Sequence, residues 1–224
     1  NLEKCQKIIC ICEEMKERFI QELPNLSDKI QVIYNPFDII KIKNLSDNYS
    51  EVNEDEKKLL KENYIIMVSR LESKMKDFFT LIDAFKLVKE KKPEMKLFIL
   101  GDGPDREKIK EKIKEKDLEK EIILLGMKKN PYPWIKNANL LVHSSNYEGL
   151  PTVLIEGLIL NKIIISTDCP TGPKEILKNG KYGSLVTIGD YKTMASEIEE
   201  LSRYNSLKRK KYLELSEEAV ERFD

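Results

Sequence analysis

Two glutamates, Glu148 and Glu156, stand with seven residues between them and enclose Gly149, Leu150 and Pro151. Ionised carboxylates only accept hydrogen bonds, so the pair suits a ligand that carries hydroxyl groups. Pro151 fits the first helical position, where a helix leaves the N–H unpaired anyway and the required φ is preset. A helix from Pro151 to about Leu160 places Glu148 in the preceding loop and Glu156 about one and a half turns inside. The amides of Thr152, Val153 and Leu154 then point out of the helix end, backed by the positive end of the macrodipole. That end favours an anion such as phosphate. The two carboxylates repel the same anion, which assigns them to the hydroxyl-bearing part of the ligand. A sugar phosphate has both parts.

Other candidates follow apolar runs. In "SRLESKMKD" (Ser69–Asp77), Arg70 leaves a strand end and Lys76 precedes a helix. Facing a crevice, they could neutralise a diphosphate, as a planar fork and a point charge. As surface charges they would do nothing, and the residues alone leave both readings open. "LGDGPDRE" supplies Gly101, Gly103 and Pro104 for a tight strand-to-helix turn, but Arg106 occupies the third glycine position of a dinucleotide fingerprint. In "LGMKKNPYPW" the backbone near Met127 could bond the edge of a base, while Tyr132 and Trp134 are expected to pack against a sheet. His143 lies inside an apolar run and reads as a core residue rather than a base. "DCPTGPKEIL" suits either close approach to a ligand or rigid packing.

The elements that must position these residues are legible as runs. "YIIMVS", "KLFIL", "IILL", "LLVHS", "IIIST" and "SLVTI" are short and continuously apolar, as expected of strands buried on both faces of a parallel sheet. Helical patterns lie between them, with Leu81, Ile82, Phe85 and Val88 on one stripe and only Ile109 and Ile113 apolar in the next. The order predicts an α/β doubly wound parallel sheet, Rossmann-like, over residues 64–205. Before it, "KIICIC" and "KIQVIY" read as strands flanking a helix over Glu13–Leu23. Residues 39–63 read as a linker or surface insertion, and 206–224 as a charged C-terminal helix.

The 224 residues are 41% hydrophobic, enough for a real core. Lys plus Arg and Asp plus Glu both number 39, and this neutrality argues against nucleic acid as a partner. No run approaches the roughly 20 apolar residues of a membrane span, and no signal peptide is visible, so a cytoplasmic location is expected. Four cysteines with a single histidine read as buried, reduced thiols rather than a metal site. A start at Asn1 predicts a piece of a longer protein. The basic "SLKRKKY" (Ser206–Tyr212) reads as a solvated helix end or as a peripheral contact with the inner face of the cytoplasmic membrane.

"VSRLESKMKDFFTLIDAF", "LGDGP", "SSNYEGLPTVLIEGL" and "STDCPTGPKEIL", in this order, resemble the C-terminal domain of retaining glycosyltransferases of family 4. The resemblance covers roughly Tyr64–Leu201 strongly and residues 1–38 weakly. It implies the GT-B fold, with residues 1–38 a remnant of the N-terminal domain plus the hinge. It implies a hexosyltransferase-type enzyme taking a sugar from a UDP- or GDP-sugar donor to a glycan or lipid-linked acceptor, in surface polysaccharide biosynthesis. Arg70 and Lys76 would hold the donor diphosphate, and Glu156 the ribose hydroxyls. Glu148 would meet the transferred sugar near its anomeric carbon. The backbone of Gly149, Leu150, Pro151, Thr152 and Val153 would bind sugar hydroxyls and phosphate, and Met127 and Lys128 would border the base. No cofactor and no metal are expected, because the nucleotide sugar is a substrate. The "SRLESKMKD" loop is one residue longer than the commoner spacing, which weakens the assignment of Lys76. Most of the N-terminal domain is absent, so the chain alone is expected to bind donor and transfer nothing. The alternatives are another GT-B enzyme, such as a nucleotide-sugar epimerase, or a non-catalytic nucleotide-binding module.

Overall fold

Apolar runs become strands and the stretches between them become helices in a computed structural model that describes residues 2–223. β1 (Ile8–Cys10) and β2 (Ile30–Val32) pair in parallel on either side of α1 (Glu13–Glu22), with Ile8 opposite Ile30. They form a sheet of their own over a small core of Ile8, Cys10, Leu26 and Ile30. Cys10, Cys12 and Cys169 are buried free thiols, whereas Cys5 is exposed.

Residues 39–63 do not form a linker. They fold into α2 (Ile39–Ser46) and α3 (Glu54–Leu59). Asp38 caps the first by accepting from the Lys41 amide at 2.8 Å, and Asn53 and Glu56 close a reciprocal capping box on the second. The polar surface of the stretch conceals three anchors, Ile42, Val52 and Leu60, which are buried in the main core.

The main domain then alternates β3 (Tyr64–Val68), α4 (Phe78–Lys91), β4 (Lys96–Leu100), α5 (Arg106–Glu115), β5 (Ile122–Gly126), α6 (Tyr132–Asn137) and β6 (Leu140–His143). It continues through α7 (Thr152–Ile159), β7 (Ile164–Thr167), α8 (Pro173–Ile176), β8 (Ser184–Val186) and α9 (Tyr191–Leu201). The six strands are parallel in the order β5-β4-β3-β6-β7-β8. Alternate residues feed two cores. Ile65 and Met67 meet Leu81, Phe85 and Ile198 on one face, while Tyr64 and Ile66 meet Trp134, Leu154 and Leu158 on the other. Both faces are covered, so the strands show no polar alternation.

β3 and β6 are neighbours, yet the chain leaves β3 toward β4 and leaves β6 toward β7. The strand order reverses between them, and the carboxyl ends there are the switch point at which such sheets bind ligands.

The C-terminal segment is two helices rather than one, α10 (Leu207–Glu214) and α11 (Ser216–Glu221), and it buries Tyr212, Ala219 and Phe223. Among the described residues no helix is long and apolar enough to cross a membrane.

Candidate functional site

The loop after β3 is fixed from both sides. On one side the Leu71 amide donates to Asp102 O at 3.0 Å, Asp105 N donates to Leu71 O at 3.0 Å, and the Ser73 amide donates to Asp105 Oδ2 at 2.6 Å. This approach needs glycine: a Cβ on Gly101, at φ +137°, would lie 1.9 Å from Ser69 O. The joined loops line a cavity of about 590 Å³ with Arg70, Gly101, Gly103, Met127 and Lys128 on its walls. Arg70 is exposed there, 3.6 Å from Glu72. Lys128 pairs with Glu56 and lies over the Trp134 ring. Trp134 is buried edge-on to Phe98, as expected of a packing residue.

On the other side the loop is tied to β6. The Asp77 amide donates to Ser144 O at 3.0 Å, Ser144 Oγ to Asp77 O at 2.8 Å, and Asn146 N to Met75 O at 2.9 Å. These bonds carry Lys76 to Glu148, and its ammonium donates to Glu148 Oε1. Lys76, expected at a diphosphate, is thus bound to the neighbouring candidate, because hydrogen bonds between the loops after β3 and β6 bring the two side chains together. Ser145 Oγ donates to the same oxygen at 2.7 Å, and His143 Nε2 lies 2.9 Å from it. Glu148 Oε2 has no hydrogen bond among the described residues. Burial pushes the Glu148 carboxyl up, but His143 and then Lys76 outweigh it and hold the group down at about 2.

The backbone of Glu148 is equally constrained. Its amide donates to Pro170 O at 2.7 Å, and Thr171 returns its own amide at 3.1 Å and its hydroxyl at 2.9 Å to Glu148 O. The same hydroxyl reaches Gly149 O at 2.6 Å. The "DCPTGPKEIL" loop therefore packs rigidly against the glutamate loop.

α7 begins one residue later than expected, with Pro151 as its N-cap. The Leu154 amide is not free but donates to Pro151 O at 3.0 Å. The amides of Thr152 and Val153 remain without a partner among the described residues. Leu150 is buried, so only its backbone can face a ligand. Glu156 lines a separate cavity of about 310 Å³ with Asn35, Phe37, Asp38, Tyr132 and Thr152. Burial pushes its carboxyl up, and the nearby Tyr132 hydroxyl opposes this in part. The structure thus brings Arg70, Met127 and Lys128 together, brings Lys76 to Glu148, and sets Thr152 with Glu156 in a third place.

Residues 13–34 are held against these loops and α8. Glu175 accepts from the Glu13 and Glu14 amides at 3.2 Å and from Tyr34, while the Gly172 amide donates to Glu14 at 3.2 Å. Sequence reasoning missed His143, Ser145 and Thr171. The signal for His143 was present, as a polar side chain closing an apolar strand at the switch point.

A doubly wound parallel sheet with charged groups gathered at its switch point defines a Rossmann-like domain. Residues 49–222 match the family described as Glycosyl transferases group 1, and the chain belongs to that family. It is 40% identical over 171 residues to an uncharacterised glycosyltransferase of Methanocaldococcus jannaschii, covering 76% of this chain and 41% of that protein. It is 29% identical over 210 residues to a Campylobacter jejuni N-acetylgalactosamine-N,N'-diacetylbacillosaminyl-diphospho-undecaprenol 4-alpha-N-acetylgalactosaminyltransferase, covering 93% of this chain and 53% of that one. The chain spans about half the length of these curated relatives. In fold it is similar to Anabaena HepE in complex with UDP and glucose, with a TM-score of 0.80 at 22% identity, covering 96% of this chain and 57% of HepE.

Proposed function

We propose that this chain is the donor-binding part of a retaining, family 4 hexosyltransferase. The complete enzyme moves a sugar from a UDP- or GDP-sugar to a glycan or lipid-linked acceptor on the cytoplasmic side, in surface polysaccharide assembly. Residues 1–38 are then the end of the N-terminal domain plus the hinge. One observation carries the reading: Arg70 stands on the wall of the cavity formed by the loops after β3, β4 and β5, and the same β3 loop carries Lys76 to Glu148 on the loop after β6. Arg70 takes the diphosphate, and Lys76, shared with Glu148, adds a second positive charge. The Thr152 and Val153 amides offset the negative charge that develops on the leaving group. Met127 and Lys128 border the base, and Glu156 accepts from the ribose. Glu148 Oε2 accepts from the transferred sugar near its anomeric carbon, where positive charge develops.

Transfer also requires an acceptor hydroxyl held within about 3–3.5 Å of that carbon. The facing domain supplies this positioning, so the chain alone should bind but not transfer. Calorimetry with UDP and GDP, followed by a transfer assay on the same sample, tests the reading. Binding without transfer is the expected result. No affinity for either nucleotide would favour a module of another kind, and robust transfer would mean the acceptor site lies within this chain.

A further inference from the structure

At the opposite end of the strands, where β3, β6 and β7 begin, a third cavity of about 380 Å³ is lined by Lys61, Asn63, Asn139, Lys162, Tyr204 and Arg209. Its cations have unusual partners. Lys162 donates to the carbonyls of Lys136 at 2.6 Å and Ala138 at 3.1 Å. Arg209 donates through Nη1 to Leu201 O at 2.7 Å and to Asn139 Oδ1 at 2.8 Å. These contacts cap the C-terminal ends of α6 and α9, a favourable place for positive charge. They leave the third ammonium proton of Lys162 and the Nε and Nη2 groups of Arg209 unused among the described residues.

None of those acceptors is a carboxylate. Two partly buried cations therefore line one cavity without a carboxylate partner among the described residues, and the Arg209 guanidinium lies over the Tyr204 ring, 5.1 Å from its centroid. Burial, then the charges of Arg209 and Lys136, pushes the Lys162 ammonium down to about 8. Lys61, at the mouth, has no ion-pair partner among the described residues. Glu62 is the single carboxylate lining the cavity, and it is exposed. Tyr204, which lines the cavity, and Leu207, three positions on at the start of α10, are 78% and 80% exposed. Lys210 and Lys211 follow Leu207 by three and four positions, so they share its face of α10, and Glu214 closes that face.

We propose that this pocket binds the phosphate of an anionic lipid headgroup, with Tyr204 and Leu207 entering the membrane interface beside it. The missing counter-charge sets the sign of the ligand, and the forked guanidinium beside an ammonium fits phosphate oxygens. The exposed apolar pair selects the source. A soluble phosphate ester would fill the pocket but leave Tyr204 and Leu207 in water. A lipid surface is anionic outside and apolar within, so it meets both. The pocket lies at the amino ends of the strands, so this inference stands apart from the donor site.

The test uses vesicles of phosphatidylcholine with and without phosphatidylglycerol in a sedimentation assay, beside calorimetry with glycerol 3-phosphate. The chain should pellet with the anionic vesicles and not with the neutral ones. Arg209→Gln should lower both vesicle and glycerol 3-phosphate binding by about tenfold or more. Lys61→Ser, at an exposed position that leaves the fold intact, should lower vesicle binding by about fivefold. Leu207→Ser, also exposed, should weaken vesicle binding and leave glycerol 3-phosphate unchanged. Equal binding to both vesicles, or anionic binding that survives Arg209→Gln and Lys61→Ser, would overturn the proposal. Glycerol 3-phosphate binding without vesicle binding would overturn the lipid as ligand.

Discussion

Around Glu148 the chain gathers donors. Lys76, Ser145 and His143 all reach Oε1, and Thr171 holds the backbone from behind. Eight positions further along the chain, Glu156 accepts no side-chain hydrogen bond among the described residues, and the nearby Tyr132 hydroxyl offsets its burial only in part. The first carboxyl is held down at about 2 and the second is pushed up. The same residue type thus serves two purposes. A carboxylate with three donors on one oxygen is a fixed anion whose other oxygen keeps its acceptor capacity among the described residues. A buried carboxylate without a hydrogen-bond donor among the described residues has acceptor capacity to spare, and ligand hydroxyls can supply what burial removed.

The sharpest way to break this comparison is at Glu148. The ion pair with Lys76 is largely buried, with side-chain exposures of 18% for Lys76 and 10% for Glu148. Glu148→Ala leaves that ammonium unpaired and should cost about 3–5 kcal/mol, measured by denaturant unfolding. Glu148→Gln keeps the shape and removes the charge. In the complete enzyme it should lower kcat by roughly 100- to 1,000-fold with little change in KM, as expected for stabilisation realised in the transition state. A rise in KM at constant kcat would exchange the roles of the two glutamates.

Arg70 extends the contrast to a residue without a supporting shell. It is 71% exposed and its nearest carboxylate, on Glu72, is 3.6 Å away, so Arg70→Ala should leave stability unchanged. It should weaken UDP or GDP by roughly 10- to 150-fold, the range for a hydrogen bond to a charged group. Uridine or guanosine should bind as before. Equal losses for nucleotide and nucleoside would remove Arg70 from the phosphate.

The six main strands were legible because buried parallel strands are continuous apolar runs, and the order of runs and helices leaves few topologies. The two helices of residues 39–63 were not, because their caps and three apolar anchors are scattered through a polar stretch. Candidate site residues could be chosen from loop position, but their partners could not. Lys76 meets Glu148 across 72 positions of sequence, through bonds between two loops that no local pattern announces. His143 was read as core, and it is buried. What the sequence could not show is that the turn after β6 brings Glu148 back onto its ring.

The smallest effect is expected at Glu156, and its sign matters more than its size. Glu156→Gln should weaken the donor by about tenfold and leave kcat nearly unchanged, since a ribose contact exists equally in ground and transition states. Its effect on stability should be opposite to that of Glu148→Gln. A depressed carboxyl stabilises the fold above the unfolded value of about 4.3, and that stabilisation is lost as pH falls through about 2. A raised carboxyl behaves in reverse: its contribution is greatest below the unfolded value and declines as pH rises through the folded one. At neutral pH, Glu148→Gln should therefore lower Tm while Glu156→Gln raises it. As pH falls, both differences from the natural chain should close, that of Glu156→Gln first because its folded pKa is the higher. Thermal unfolding of the three proteins between neutral pH and the acid limit of folding measures this directly. A Glu156→Gln variant that melts lower at neutral pH would show that Glu156 already has the partners which the ribose is proposed to provide.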